Sequence, residues 1–135
     1  MTTAERRPYS AIVTPTPTTI AVVDDDESVR YALQQLLRAA KFEALAFASA
    51  EELLESPEGA RVDCLIADVN LPGMSGVALV HSLERAGRAI PTVLISALDD
   101  KYPVALKGRA GTIPRLRKPF SDDALFTAVA EVLLR

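Results

Sequence analysis

The sequence predicts an α/β domain built on one doubly wound parallel sheet. Three observations carry this expectation. Five short apolar runs recur along the chain, stretches with helical spacing of apolar residues separate them, and four of the runs stop abruptly at a polar residue. Regular alternation of strand and helix implies parallel strands, because each crossover must return the chain to the same end of the sheet. A length of 135 residues leaves room for one such domain and not for two.

The elements follow in order. Residues 1–18 lack apolar periodicity, and Pro15 and Pro17 favour an extended chain, so this segment is expected to be a disordered tail ahead of a domain at 19–135. The β-branched run Thr19–Val23 predicts the first strand and stops at Asp24. Val29, Leu33, Leu36, Leu37 and Ala40 then share one helical stripe, expected to be buried. Residues 42–47 read as the second strand, and Ser49, Glu51 and Glu52 open a short helix that Pro57 and Gly59 close. The third run, 62–67, stops at Asp68; after a Pro-Gly loop, Ser75 caps a helix with Leu79, Val80 and Leu83 inward and Gly87 as its stop. Residues 92–95 form the fourth run, ending at Ser96. Residues 99–110 read as a weak helix burdened by Pro103 and Gly108, and 112–117 as the fifth strand, ending at Lys118 and Pro119. Ser121 caps a last helix with Leu125, Val129, Val132 and Leu133 buried. Five strands, five helices and right-handed crossovers favour a (βα)5, flavodoxin-like sheet of order 2-1-3-4-5.

Composition excludes several classes. Hydrophobic residues at 49% and charged residues at 24% rule out disorder for most of the chain. One cysteine, Cys64, excludes a disulfide framework and fits a reducing compartment; inside an apolar strand it reads as an inert buried thiol. No apolar run approaches the ~18 residues needed to span a bilayer, and Ile20 to Val23 is too short for a secretory core, so a cytoplasmic location without membrane contact is expected. Charge is polarised: residues 19–100 carry 14 acidic and 6 basic side chains, whereas 101–135 carry 7 basic and 3 acidic. The middle suits a cation, and the basic end suits an acidic partner.

In an open parallel sheet, ligands collect beyond the carboxyl ends of the strands. Those ends carry Asp24, Asp25 and Asp26 after the first strand, Asp68 after the third, Ser96 after the fourth and Lys118 after the fifth. Two carboxylates about 4 Å apart repel by roughly 4 kcal/mol at an effective dielectric near 20, so such a cluster must take a proton or a cation. Hard oxygen donors with room for water suit Mg²⁺. A carboxylate can attack phosphorus, a serine hydroxyl can donate to a phosphoryl oxygen, and a lysine can balance its charge. Asp68, alone at its strand end, suits the nucleophile.

Four motifs now resemble a known family: Val-Val-Asp-Asp-Asp-Glu-Ser-Val-Arg at 22–30, Asp-Val-Asn-Leu-Pro-Gly-Met-Ser-Gly at 68–76, Leu-Ile-Ser-Ala at 94–97 and Arg-Lys-Pro-Phe at 117–120. In this order and at these separations they resemble the receiver domain of two-component response regulators. The nearest likeness is to the receivers of nitrogen-fixation and nitrate-type transcriptional regulators. The resemblance implies that Asp68 is phosphorylated by a histidine kinase or phosphotransfer protein. Asp24 and Asp25 would hold Mg²⁺ with Asp68, Asn70 would lend its backbone carbonyl, Ser96 would be the switch hydroxyl, and Lys118, ahead of a cis Pro119, would pair with the phosphoryl group. Asp26 and Glu27 are left as first-turn helix residues.

One position departs from the pattern. Where the family commonly has an aromatic switch residue, three before the lysine, this chain has Arg115. A guanidinium cannot enter an apolar pocket cheaply. The alternative is therefore a pseudo-receiver, a protein-binding module with atypical switching. A metal-dependent phosphohydrolase is a further rival, but it wants a second acid where this chain has Asn70. A downstream protein or an effector domain is expected to dock on Lys101, Lys107, Arg109, Arg115 and Arg117, with dimerisation on phosphorylation as an option and no direct contact to nucleic acid. His81 reads as a lone surface histidine, and Tyr31 and Tyr102 as packing residues.

Overall fold

The computed structural model describes residues 17–97, 106–108 and 111–135. Residues 1–16 of the expected tail, Tyr102, and Lys101 and Arg109 of the expected docking face lie outside the described residues, as does most of the expected helix at 99–110.

The strands β1 (Thr19–Val23), β2 (Glu43–Phe47), β3 (Cys64–Asp68), β4 (Thr92–Ser96) and β7 (Arg115–Arg117) form one parallel sheet of order β2-β1-β3-β4-β7. This is the order expected from the sequence, with β7 in fifth place. The pleat sends alternate side chains to opposite faces. Ile20, Val22, Cys64, Ile66, Val93 and Ile95 meet helices α1 (Glu27–Ala39) and α4 (Asp122–Leu133) on one face. Ala21, Val23, Leu65, Ala67 and Leu94 meet α2 (Ala50–Glu55) and α3 (Gly76–Arg85) on the other. Two cores thus sandwich the sheet, and each fully buried Leu or Ile contributes about 1.5–3 kcal/mol.

Local chemistry sets the helix ends. Ser49, Ser75 and Ser121 cap as expected, accepting from the amides of Glu52 (3.1 Å), Ala78 (3.1 Å) and Ala124 (3.0 Å). Asp26 is not a first-turn residue but the N-cap of α1, accepting from Ser28 at 2.9 Å and Val29 at 3.3 Å. Gly87 stops α3 with φ +73°, a conformation that suits a residue without Cβ. Ala40, expected in the buried stripe, is the exposed C-cap of α1, because the helix ends before that face returns to the sheet. Tyr31, expected to pack, is 64% exposed.

The clearest departure lies between β4 and β7. Where a helix was expected to reach residue 110, β5 (Leu106–Gly108) pairs antiparallel with β6 (Gly111–Ile113). The expected strand 112–117 is accordingly split: Ile113 ends the hairpin, Pro114 intervenes, and only 115–117 joins the main sheet. Gly108 and Gly111, which face each other in the hairpin, disfavour a helix, while β-branched Thr112 and Ile113 favour extended backbone. Ile113 is buried among α3 and β4 side chains and ties the hairpin to the core.

Two outcomes test this packing. Gly76 opens α3 against the end of β3; a Cβ there would run into the Asp68 carbonyl oxygen and sit 3.1 Å from Val69 Cα. Gly76→Ala should lower the unfolding free energy by about 1–3 kcal/mol in urea titration. Burial pushes the Cys64 thiol up to about 12; the nearby Asp63 charge adds to this, and the Leu65 backbone contact only partly offsets it. A thiol-reactive dye should leave the native chain unlabelled and label it rapidly in urea.

Candidate functional site

The parallel register lines up the carboxyl ends of β1, β3, β4 and β7, so residues distant in sequence meet at one edge. The last rungs pair Val23 with Ala67, Asp68 with Ile95, and Ser96 with Arg117. Asp24, Asp68 and Ser96 are buried there, while Asp25 and Asn70 are exposed.

Lys118, 94 residues from Asp24 and 50 from Asp68, joins them. Its Nζ donates to Asp24 Oδ2 at 2.9 Å and to Asp68 Oδ2 at 3.0 Å. Its backbone N–H donates to the Ser96 carbonyl at 2.8 Å, which places the side chain just beyond the sheet, and the Lys118–Pro119 peptide is cis. The second oxygen of each aspartate is also occupied: Asp24 Oδ1 accepts from the Asp26 amide and Asp68 Oδ1 from the Asn70 amide, both at 2.9 Å. Carboxylate oxygens of Asp24, Asp25 and Asp68 lie within 4.8 Å of one another. Asn70 Nδ2 donates to Ser96 Oγ at 3.4 Å, bringing the serine hydroxyl into the same cluster.

The sequence-derived residues Asp24, Asp25, Asp68, Asn70, Ser96 and Lys118 are therefore brought together. The expected docking face is only partly described. Arg115 is half-buried and Arg117 exposed, two apart on one face of β7; for Lys107 the backbone alone is described, in β5. The sequence pointed to no role at the site for Arg30, and to Glu51 only as part of a helix start. Arg30 Nη1 donates to the Asp24 carbonyl at 2.8 Å, and Glu51 Oε2 accepts from the Met74 amide at 3.0 Å, pinning the loop after β3 to α2.

An anionic notch spanned by one ammonium, at the strand ends of a doubly wound sheet, defines a class of α/β domain that handles a cation together with a phosphoryl group. The comparisons narrow this class. A family model described as the response regulator receiver domain matches residues 20–130. Nodulation protein W of Bradyrhizobium diazoefficiens is 38% identical over 111 residues, covering 82% of this chain and 48% of that protein. The low-resolution structure of response regulator StyR is 40% identical with a TM-score of 0.76, over 88% of this chain and 60% of that one. The crystal structure of FixJ-N is 30% identical with a TM-score of 0.75, over 90% and 97%. The chain belongs to the receiver-domain family of two-component response regulators, and its relatives include the transcriptional regulatory protein FixJ and the DNA-binding transcriptional regulator NtrC.

That family is one of signalling phosphoacceptors that bind Mg²⁺ at an acidic pocket and pair with histidine kinases and effector domains. The pseudo-receiver alternative is not favoured. The chain spans about half the length of the curated relatives it matches first. Among the described residues no helix is long and apolar enough to cross a membrane.

The bridge has a measurable pH signature. Burial opposes the Lys118 charge and is the largest single influence. The hydrogen bonds to Asp24 and Asp68 and the charges of those carboxylates together outweigh it, so its pKa lies above the ordinary 10.5. The folded chain holds this proton more tightly than the unfolded one. The bridge's stabilisation is therefore complete below the ordinary lysine range and is lost as pH climbs through the raised folded value. Lys118→Met should lose about 1.5–3 kcal/mol at neutral pH, the range for hydrogen bonds to charged groups. Urea midpoints of variant and parent should converge as pH passes upward through the folded value.

Proposed function

We propose that this chain accepts one phosphoryl group on Asp68 from a cognate histidine kinase or phosphotransfer protein and passes the signal on by a change of conformation. The observation that carries this reading is the Lys118 ammonium shared between Asp24 and Asp68. It leaves the Asp68 carboxylate paired to a group that can follow charge onto a phosphoryl oxygen.

The donor set fits a divalent cation. Three carboxylates offer hard oxygens within 4.8 Å of one another, and exposed Asp25 leaves room for coordinated water, which suits Mg²⁺. Asp24, Asp25, Asp68 and the Asn70 backbone carbonyl would hold it. When bound, the ion would neutralise charge on the phosphoryl oxygens and align them with the nucleophile.

The chain's own residues supply the rest. An Asp68 oxygen attacks phosphorus, the nitrogen–phosphorus bond of the donor breaks, and its electron pair stays with the imidazole. Lys118 moves its charge from the carboxylate to the transferred group. Ser96, buried beside Asn70, turns its hydroxyl toward a phosphoryl oxygen, shifting a pre-existing equilibrium at the ends of β4 and β7. Because the site carries the transfer itself, the chain acts on its own Asp68 and turns over no other substrate. The output is docking to a downstream protein or effector domain through the basic surface that includes Lys107, Arg115 and Arg117, with dimerisation as one form of it, in the cytoplasm.

With Mg²⁺ and acetyl phosphate, intact-mass measurement should show the gain of a single phosphoryl group. Chelation should prevent it, and Asp68→Asn should abolish it. Labelling that persists in that variant would place the acceptor elsewhere.

A further inference from the structure

The loop that carries Asp24 and Asp25 is held by a residue outside the acidic notch. Every polar group of buried Asp24 has a partner. Its amide donates to the Phe47 carbonyl at 3.1 Å, Oδ1 accepts from Asp26, Oδ2 accepts from Lys118, and its carbonyl accepts from Arg30 Nη1 at 2.8 Å. The first three bonds fix the strand end and the carboxylate. The Asp26 bond closes a turn across the Asp24–Asp25 peptide, and the fourth is the one made to that peptide's own carbonyl oxygen. Asp25 itself is exposed and makes no hydrogen bond among the described residues, so its carboxylate is placed by the backbone that the Asp26 and Arg30 bonds hold.

The placement of Arg30 is otherwise unfavourable. It is the fourth residue of α1, at the end where the helix dipole disfavours a cation. Helical side chains lean toward the N-terminus, and this lean brings a long side chain from position 30 back over the loop at 24–25. The residue is half-buried, and its guanidinium takes the carbonyl.

We propose that Arg30 is a positioning residue for the divalent cation: through the Asp24 carbonyl it orients Asp25 toward Asp68. This rests on the reading that Asp24, Asp25 and Asp68 hold Mg²⁺. Charge alone predicts the opposite, since a guanidinium near the notch repels a dication and its removal would tighten binding. The sign of the effect therefore separates positioning from electrostatics.

The test is calorimetric titration of the full chain with Mg²⁺ alone, beside phosphorylation by acetyl phosphate at graded Mg²⁺. Arg30→Met, which keeps the stem and loses donor and charge, should weaken Mg²⁺ binding about tenfold, the lower range for groups that orient metal ligands. It should raise the Mg²⁺ needed for half-maximal phosphorylation equally and leave the rate at saturating Mg²⁺ near that of the parent. Arg30→Lys, whose ammonium can reach the same carbonyl, should recover most of the loss. Arg30→Gln, too short to reach, carries the same expectation as Met should the latter fail to fold. Unchanged or tighter binding in the Met and Gln variants, or a Lys variant no better than Met, would overturn the inference and leave the metal reading intact. A parent chain that binds no Mg²⁺ would remove both.

Discussion

The shared ammonium of Lys118 is the interaction on which the site depends. Carboxylates at 24, 25 and 68 lie within 4.8 Å of each other and repel, and Lys118 bridges the two that are buried. That demand reaches back into the fold. Lysine and aspartates meet only if the first, third and last strands of the main sheet are parallel, end at the same edge and lie in the order observed. The two apolar cores fix that order, and the bond from the Lys118 amide to the Ser96 carbonyl fixes where the last strand stops.

The same arrangement suits the proposed switch. A buried carboxylate held by a movable ammonium and by one backbone amide, Asn70, is restrained and yet accessible at the rim. In the proposed reaction a phosphoryl group on Asp68 would become the lysine's partner, and Ser96 lies beside it through its contact with Asn70. The ends of β4 and β7 are neighbours in register, so in the proposed switch a displacement at Ser96 would reach Arg117. Ahead of β7 in the chain come the antiparallel hairpin, anchored by Ile113 against α3, and then Pro114. A receiver with this hairpin between its last two sheet strands presents a different surface from one with a helix reaching that point.

Much of this was legible in the sequence, for reasons that are local. Apolar runs that stop at Asp24, Asp68 and Ser96 marked both the strands and the site, because in a parallel sheet one boundary defines both. The serines at 49, 75 and 121 marked helix starts, since a short hydroxyl satisfies an orphan amide wherever it stands. What escaped was settled by neighbours. The segment 106–113 has glycines that weaken either assignment, and only its packing on α3 and β4 decides for strand. Asp26 was read into the helix because an acid in the first turn and an acid at the cap look alike by charge; the two amides it accepts distinguish them. Tyr31 has the character of a core residue but falls on the solvent side of α1. Arg30 was visible in a motif, yet its contact with a carbonyl six residues back needs the helix to be built before it can be seen.

In the proposed function, the notch balanced by Lys118 receives a phosphoryl group and a divalent ion together. The most direct measurement is an amide NMR titration with beryllofluoride and Mg²⁺, which together mimic the phosphorylated state without chemistry. The account predicts saturable shifts at the amides of Asp26 and Asn70, which are bonded to the two buried carboxylates, and at Lys118, followed by shifts across the ends of β4 and β7. Unmoved resonances at those three amides, with the rest of the spectrum folded and intact, would contradict it.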